Sequence, residues 1–283
     1  MTSYNGRVAV ITGGASGIGY ALARRAAAEG MTVVLADIET AALDRAAASL
    51  RSEGAPVHGF EVDVSDRAAV MALAGRVEAE VGPTWLLANN AGVFVAAPLV
   101  ESTPQQWEWV LGVNLWGVVH GLQAFLPGMV ARDDGYVVNT ASLDGIVTVP
   151  NVASYIASKH AITGLSETLF RELAGTGVGV SVLCPGTIAT DIVRSARNWP
   201  ARLGPAPPVE TDGFPDFDEV LAPEDVAGIV FEAIAERRFW IVTHTEQYAS
   251  AIRARAEGIL ASVNPDDASV DPNFTRASGR LPR

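Results

Sequence analysis

Cysteine is almost missing from this chain of 283 residues, where Cys184 stands alone. A single thiol excludes an internal disulfide and a cysteine-built metal cluster, and no metal site is expected. Positive charge is also scarce: Lys+Arg number 20 against 32 for Asp+Glu, a formal net charge of −12. Binding a phosphate backbone calls for a basic surface, so nucleic acid is not an expected partner. The acidity reads as solubility and mutual repulsion between molecules. Long hydrophobic runs are lacking too. The tracts at 8–11, 33–35 and 180–183 are short, β-branched and flanked by turn residues. They read as buried strands, far below the ~20 residues that a bilayer requires. The opening residues, Met1 to Arg7, lack the basic-then-apolar order of a secretory signal. Together these absences predict a cytoplasmic protein with no membrane partner.

What the chain does contain is an apolar fraction of 49%, ample for a sizeable core. Strand-like runs alternate with alanine-rich helical stretches from the start. Strands are expected at 7–12, 32–37, 57–62, 85–88, 135–140, 178–183 and 239–242. Helices are expected at 17–29, 40–53, 66–81, within 103–131, and at 152–174 and 223–237. Pro223 suits a first helical turn, where its missing N–H has no partner to lose. Seven strands separated by helices imply an α/β fold with a mostly parallel sheet covered on both faces. Right-handed crossovers make that sheet doubly wound. Residues 1–263 read as one domain. Two regions break the alternation: 191–222, rich in Pro, Gly and aromatics such as Trp199, Pro200, Phe214 and Phe217, and an extended tail over 264–283.

Chemistry-bearing residues fall at the ends of these elements. Thr12-Gly13-Gly14-Ala15-Ser16-Gly17-Ile18-Gly19 follows the first strand and opens the first helix. Glycines there allow a tight turn and close backbone approach to a pyrophosphate, which the helix N-terminus attracts. Asp37 ends the second strand, 18 residues beyond Gly19. A carboxylate so placed can accept hydrogen bonds from both ribose hydroxyls and repels a 2′-phosphate. No Arg or Lys occupies the glycine turn and Ile38 follows the aspartate, so NAD is favoured over NADP. A plain helix start and a turn aspartate are the bland readings of these two features.

Tyr155 and Lys159 lie four residues apart, with Ser142 thirteen residues upstream of the tyrosine. On a helix that spacing puts phenol and ammonium on one face, one turn apart. A free tyrosine titrates near pH ~10, and a nearby fixed positive charge favours the phenolate. Proton transfer to or from an alcohol oxygen needs such a pair. The bland readings are a core aromatic, a solvated lysine and a loop hydroxyl.

With these residues in order, the chain strongly resembles the short-chain dehydrogenase/reductase family from about Gly6 to Val242. Further motifs match: Asp63-Val64 after the third strand, Asn89-Asn90-Ala91-Gly92 after the fourth, and Asn114 in the long helical region. Pro185-Gly186-Thr187-Ile188-Ala189-Thr190 matches the segment after the sixth strand. Each has an ordinary structural reading taken singly, as a turn, a cap or a satisfied buried amide. The resemblance implies a Rossmann fold and hydride transfer between a nicotinamide and a carbon bearing oxygen. It implies that Asp63 and Val64 meet the adenine, that Asn90 lies beside the adenine ribose with Ala91 and Gly92 also in the cofactor site, and that 185–190 contact the nicotinamide carboxamide. Tyr155 would be the general acid/base, with Lys159 lowering its pKa and holding the nicotinamide ribose. Ser142 would donate to the substrate oxygen, and Asn114 would relay protons from Lys159 to solvent through water.

The 191–222 segment replaces the family's variable substrate lid, and its aromatics and prolines suggest an apolar pocket. Trp199, Phe94, Val95, Leu143 and Val149 are candidate walls, with core packing an equally open reading of each. The implied substrate is an apolar, cyclic or aromatic secondary alcohol or its ketone. Family members assemble as dimers or tetramers, so a homo-oligomer, with a tetramer as the working expectation, is implied; the apolar stretch 107–129 is compatible with the interface. Two alternatives stay open. One is a biosynthetic carbonyl reductase using NADPH, which Asp37 disfavours. The other is a non-catalytic dinucleotide sensor, which would be expected to have lost the Ser/Tyr/Lys set.

Overall fold

Each β-branched run becomes one strand of a single sheet, in a computed structural model that describes residues 4–207 and 219–269. The strands are β1 (Val8–Thr12), β2 (Thr32–Asp37), β3 (Val57–Glu61), β4 (Thr84–Asn89), β5 (Gly135–Thr140), β6 (Val178–Cys184) and β7 (Trp240–Val242). Their spatial order is β3-β2-β1-β4-β5-β6-β7, and every neighbouring pair is parallel. The direction of winding reverses between β1 and β4, so a crevice opens at the carboxyl ends of these two strands. This is the expected doubly wound Rossmann fold.

Alternation within each strand builds the two halves of the core, because successive side chains point to opposite faces. Ala9 and Ile11 of β1 and Val33 and Leu35 of β2 face one layer of helices. That layer is α1 (Gly17–Ala28), α2 (Thr40–Ser52) and α7 (Pro223–Glu236), which contribute Leu22, Leu50 and Phe231 among others. Val8, Val10 and Val34 face the opposite layer. It is made by α3 (Arg67–Glu80), α5 (Gly117–Arg132) and α6 (Ala153–Glu172), through Leu73, Phe125 and Ile162. Local signals start the helices where expected. The Asp66 side chain accepts the N–H groups of Ala68 and Ala69. Thr103 and Gln106 form a reciprocal capping box at α4 (Pro104–Leu111), and Pro104 and Pro223 occupy first turns.

Two elements differ from expectation. The helix anticipated within 103–131 is continuous in extent, but a π turn, Gly112–Trp116, separates α4 from α5. The combined stretch Pro104–Arg132 is long and apolar enough by composition to cross a membrane, which the strand-sized tracts did not suggest. Half of its most apolar window is buried inside the protein, and α5 packs on α3 and β4, which accounts for its composition. The second difference is α8 (Thr245–Ala261), a helix in a stretch to which no element was assigned. The first part of the expected lid forms two 3₁₀ segments, Ile192–Asn198 and Ala201–Leu203. Its residues 208–218, and 270–283 of the expected tail, lie outside the described residues.

Candidate active site

The crevice between β1 and β4 is floored by the glycine turn. Gly13 takes φ +63, and a Cβ there would sit 2.9 Å from the Cα of Ala91. At Gly19 a Cβ would lie 2.0 Å from the carbonyl oxygen of Gly13, so only glycine lets the turn fold this tightly onto α1. Across the cavity, Thr190 brings its methyl to 3.0 Å from a Cβ built on Gly17. Asp37 is held in place by main-chain donors: Ala15 N–H to Oδ2 at 3.0 Å and Glu39 N–H to Oδ1 at 3.0 Å. Each carboxylate oxygen retains further acceptor capacity. Asp63 accepts from the N–H and hydroxyl of Ser65 through Oδ1, at 2.9 and 2.7 Å.

Asn90 is built into the floor. Its N–H donates to Thr12 Oγ1 at 2.9 Å, and its Nδ2 donates to the Thr12 carbonyl at 3.2 Å. Its Oδ1 accepts from Thr140 Oγ1 at 3.4 Å. Asn90 therefore ties the glycine turn to β4 and β5 while lining the cavity.

Tyr155 and Lys159 fall on the inward face of α6, as their spacing predicts, and both are buried, at 7% and 2% exposure. Both line the same cavity as Gly13 and Asp37. The Lys159 ammonium donates to the Thr140 carbonyl at 2.9 Å and lies 5.4 Å from the centre of the Tyr155 ring. Phe94 packs edge-on against that ring at 5.0 Å. Ser142 caps the short helical turn Leu143–Gly145, accepting from Asp144 N–H at 3.1 Å, and is hydrogen-bonded to Tyr155.

Asn114 reaches the site because the π turn rotates it inward to 1% exposure. Its Oδ1 accepts Val93 N–H at 2.8 Å. Its Nδ2 donates to the Val93 carbonyl at 3.0 Å and to Ser158 Oγ at 3.1 Å. Both amide protons are thus committed within the protein. Ser158 in turn donates to the Tyr155 carbonyl at 2.7 Å, so Asn114 links the loop after β4 to α6.

Burial dominates the electrostatics. It pushes the Tyr155 phenol above its ordinary value, Asp144 adds to the rise, and the Ser142 hydrogen bond opposes it. Desolvation of the phenolate thus works against the lowering expected from Lys159. Burial also lowers Lys159 to about 8, against opposing effects of Cys184 and Asp144. The Cys184 thiol is pushed up to about 12 by its own burial.

Of the residues singled out from sequence, Gly13, Ser16, Gly17, Ile18, Asp37, Asp63, Val64, Asn90, Ala91, Gly92, Tyr155, Lys159, Pro185 and Thr190 line one cavity. Gly19, Asn114, Ser142, Gly186, Thr187 and Ile188 stand behind it. Thr187 O accepts from Leu221 N–H at 3.1 Å, and Ile188 bridges to Leu221. Gly186 donates to Thr243 Oγ1 at 3.1 Å, and a Cβ on it would meet His244 at 2.5 Å. These contacts shape the segment that presents Pro185 and Thr190. His244 and His160 stay structural: one bonds Thr243 Oγ1 and the other the Ile156 carbonyl. Leu143 packs with Val147 and Tyr248 and is core, not wall. Sequence reasoning gave no role to Thr12, Ser158, Glu39, Trp109 or Arg197. Thr12 and Ser158 adjoin recognised motifs, but short hydroxyl side chains carry no periodic signal.

A family model described as short chain dehydrogenase matches residues 7–201. The chain is a short-chain dehydrogenase/reductase. Among its relatives, this oxidoreductase is 32% identical to a C alpha-dehydrogenase of Sphingobium, over 98% of this chain and 92% of that protein. It is 38% identical to the 1-deoxy-11-beta-hydroxypentalenate dehydrogenase of Streptomyces exfoliatus, over 85% and 84% respectively. A short-chain dehydrogenase/reductase from Burkholderia phymatum, solved in complex with NAD, superposes with a TM-score of 0.87. It is 41% identical, covering 94% of this chain and 99% of that one.

Proposed function

We propose that this short-chain dehydrogenase/reductase uses NAD to interconvert a secondary alcohol and a ketone on an apolar, cyclic or aromatic substrate. The observation that carries this reading is the shared cavity: buried Tyr155 and Lys159 open onto the same space as the glycine turn and Asp37. The cradle around Gly13 and Gly19 fits a pyrophosphate, because any side chain there would fill it. Asp37, positioned by two N–H groups, fits a ribose diol and repels a 2′-phosphate. The NAD complex of the Burkholderia relative agrees with this preference.

When bound, the nicotinamide ring supplies the hydride acceptor or donor. The protein's own residues handle the oxygen and its proton. In the oxidative direction Tyr155 removes the hydroxyl proton as phenolate, a form favoured by the positive charges of Lys159 and of a bound nicotinamide ring against the burial that raises the phenol. Ser142 holds the oxygen on which charge develops. Lys159 has three N–H donors, one of them on Thr140 O, which leaves two for a ribose hydroxyl and the phenol oxygen. Asn114 and Ser158 hold the loop and helix that carry these groups. Val93, Val95, Trp109 and Val110, with Trp199 and Leu203 packed on them, form an apolar cluster beside the cavity that suits a bulky hydrocarbon. Exposed Trp116, Val130 and Phe170 on the long helices support assembly with further copies of the chain.

The test is NADH or NADPH formation from a panel of cyclic, aromatic and steroid-like secondary alcohols, with NAD and NADP at equal concentration. Turnover with NAD in preference to NADP is expected. Turnover with NADP alone, or none across the panel in either direction, overturns the reading.

A further inference from the structure

The first part of the lid crosses the mouth of the cavity and is tied down on both sides. Near the catalytic residues, buried Ser195 accepts Phe94 N–H at 2.8 Å and donates to the Phe94 carbonyl at 3.2 Å. Trp199 packs against Trp109 with ring centres 5.1 Å apart. The far side is held by Glu39, two residues beyond Asp37. Its Oε1 receives Arg197 Nε at 3.0 Å, Arg197 Nη2 at 2.7 Å and Asn198 Nδ2 at 2.8 Å.

Arg197 does not reach Glu39 as a loose side chain. Its Nη1 donates to the carbonyls of Asp191 and Arg194, at 3.2 and 3.0 Å, so its own helical turn aims the guanidinium. Pre-aiming removes much of the rotamer entropy that makes ordinary surface ion pairs weak. The Glu39 carboxyl is pushed up by partial burial, but the hydrogen bonds from Arg197 and Asn198 outweigh that and hold it below its usual range. Glu39, Arg197 and Asn198 all line the cavity that also holds Asp37. The contact spans from the rim of the β2 end to the lid, above the place where Asp37 would take the ribose.

We propose that Glu39, Arg197 and Asn198 form a latch closing the lid over the adenosine end of the cofactor, so that the dinucleotide exchanges only when the latch opens. This rests on the dinucleotide reading given above. Glu39 and Arg197 are then positioning residues that set the rate of cofactor release, separate from the Tyr155 chemistry. The lid is expected to close over a bound NAD(H) from two directions, with Ser195 as the inner fastening and Glu39 as the outer one.

The experiment is stopped-flow displacement of NADH from the full-length protein, followed by nicotinamide fluorescence, for wild type, Glu39→Gln, Arg197→Gln and the double variant. Each single variant should release NADH roughly two- to fivefold faster, the size expected of a favourably placed ion pair. The double variant should be no faster than the singles, because either change breaks the same contact. Release from wild type should quicken with added salt more steeply than release from either variant. That salt comparison needs only one variant to fold. Unchanged release rates, or single effects that multiply in the double variant, overturn the latch while leaving NAD binding intact. Failure of wild type to bind NADH at all removes the dinucleotide reading, and the latch with it.

Discussion

Lys159 is the only lysine in the chain, and it is buried where an ammonium is costly. Its pKa is lowered from 10.5 to about 8, so the folded protein releases a proton that the unfolded chain still holds between those values. Stability from this group therefore rises as pH climbs through that window, by roughly 3 kcal/mol in all. The Cys184 thiol, raised from 9.0, works in the opposite sense above pH 9, and the raised Tyr155 phenol does so above pH 10. The clean window is pH 8 to 9. Lys159→Met should melt a few degrees higher than wild type at pH 7 and lose the upward slope from pH 8 to 9, while its alcohol oxidation collapses. Calorimetry across that range checks this, and an unchanged slope would contradict it. The tyrosine–lysine spacing was legible because helical geometry alone puts both on one face. The weight of burial was not, since no local residue pattern reveals that the whole face is desolvated.

The long helical stretch from Pro104 to Arg132 shows how an element serves the site. Its π turn is the device that turns Asn114 into the protein, where its amide clasps both main-chain groups of Val93. Asn114→Ala would leave the Val93 N–H and carbonyl buried without that partner. A loss of about 1–3 kcal/mol is expected, the usual penalty for unpaired buried polar groups. Urea denaturation with an unchanged slope would register it as a shifted midpoint. A midpoint equal to that of wild type would argue that the clasp is not structural. The extent of this helix was legible as a long helical region within 103–131, and Asn114 from its motif. The π turn was not, because any residue can occupy it and only tertiary packing decides where the extra residue goes. The helix α8 was missed for a related reason: among its seventeen residues only Tyr248 and Ala251 are buried, so it presents little periodic signal.

At the scale of the whole molecule, seven parallel strands wound in two directions create a crevice, which the glycine turn after β1, Asp37 at the end of β2 and the Tyr155–Lys159 face of α6 all line. The doubly wound parallel sheet was legible because short β-branched runs alternating with amphipathic helices admit few right-handed topologies. The contact that ties residues 191–203 to the end of β2 was not legible. It depends on Glu39 meeting Arg197 across 158 positions of sequence, and nothing local marks either residue. The central claim is that this crevice brings a nicotinamide cofactor against a proton-transferring Tyr155. Its most direct test compares wild type with Tyr155→Phe for NADH binding and for NADH formation from a secondary alcohol. Equal NADH affinity with a rate about 10²- to 10⁴-fold lower is the predicted result, and turnover that survives in Tyr155→Phe would contradict the account.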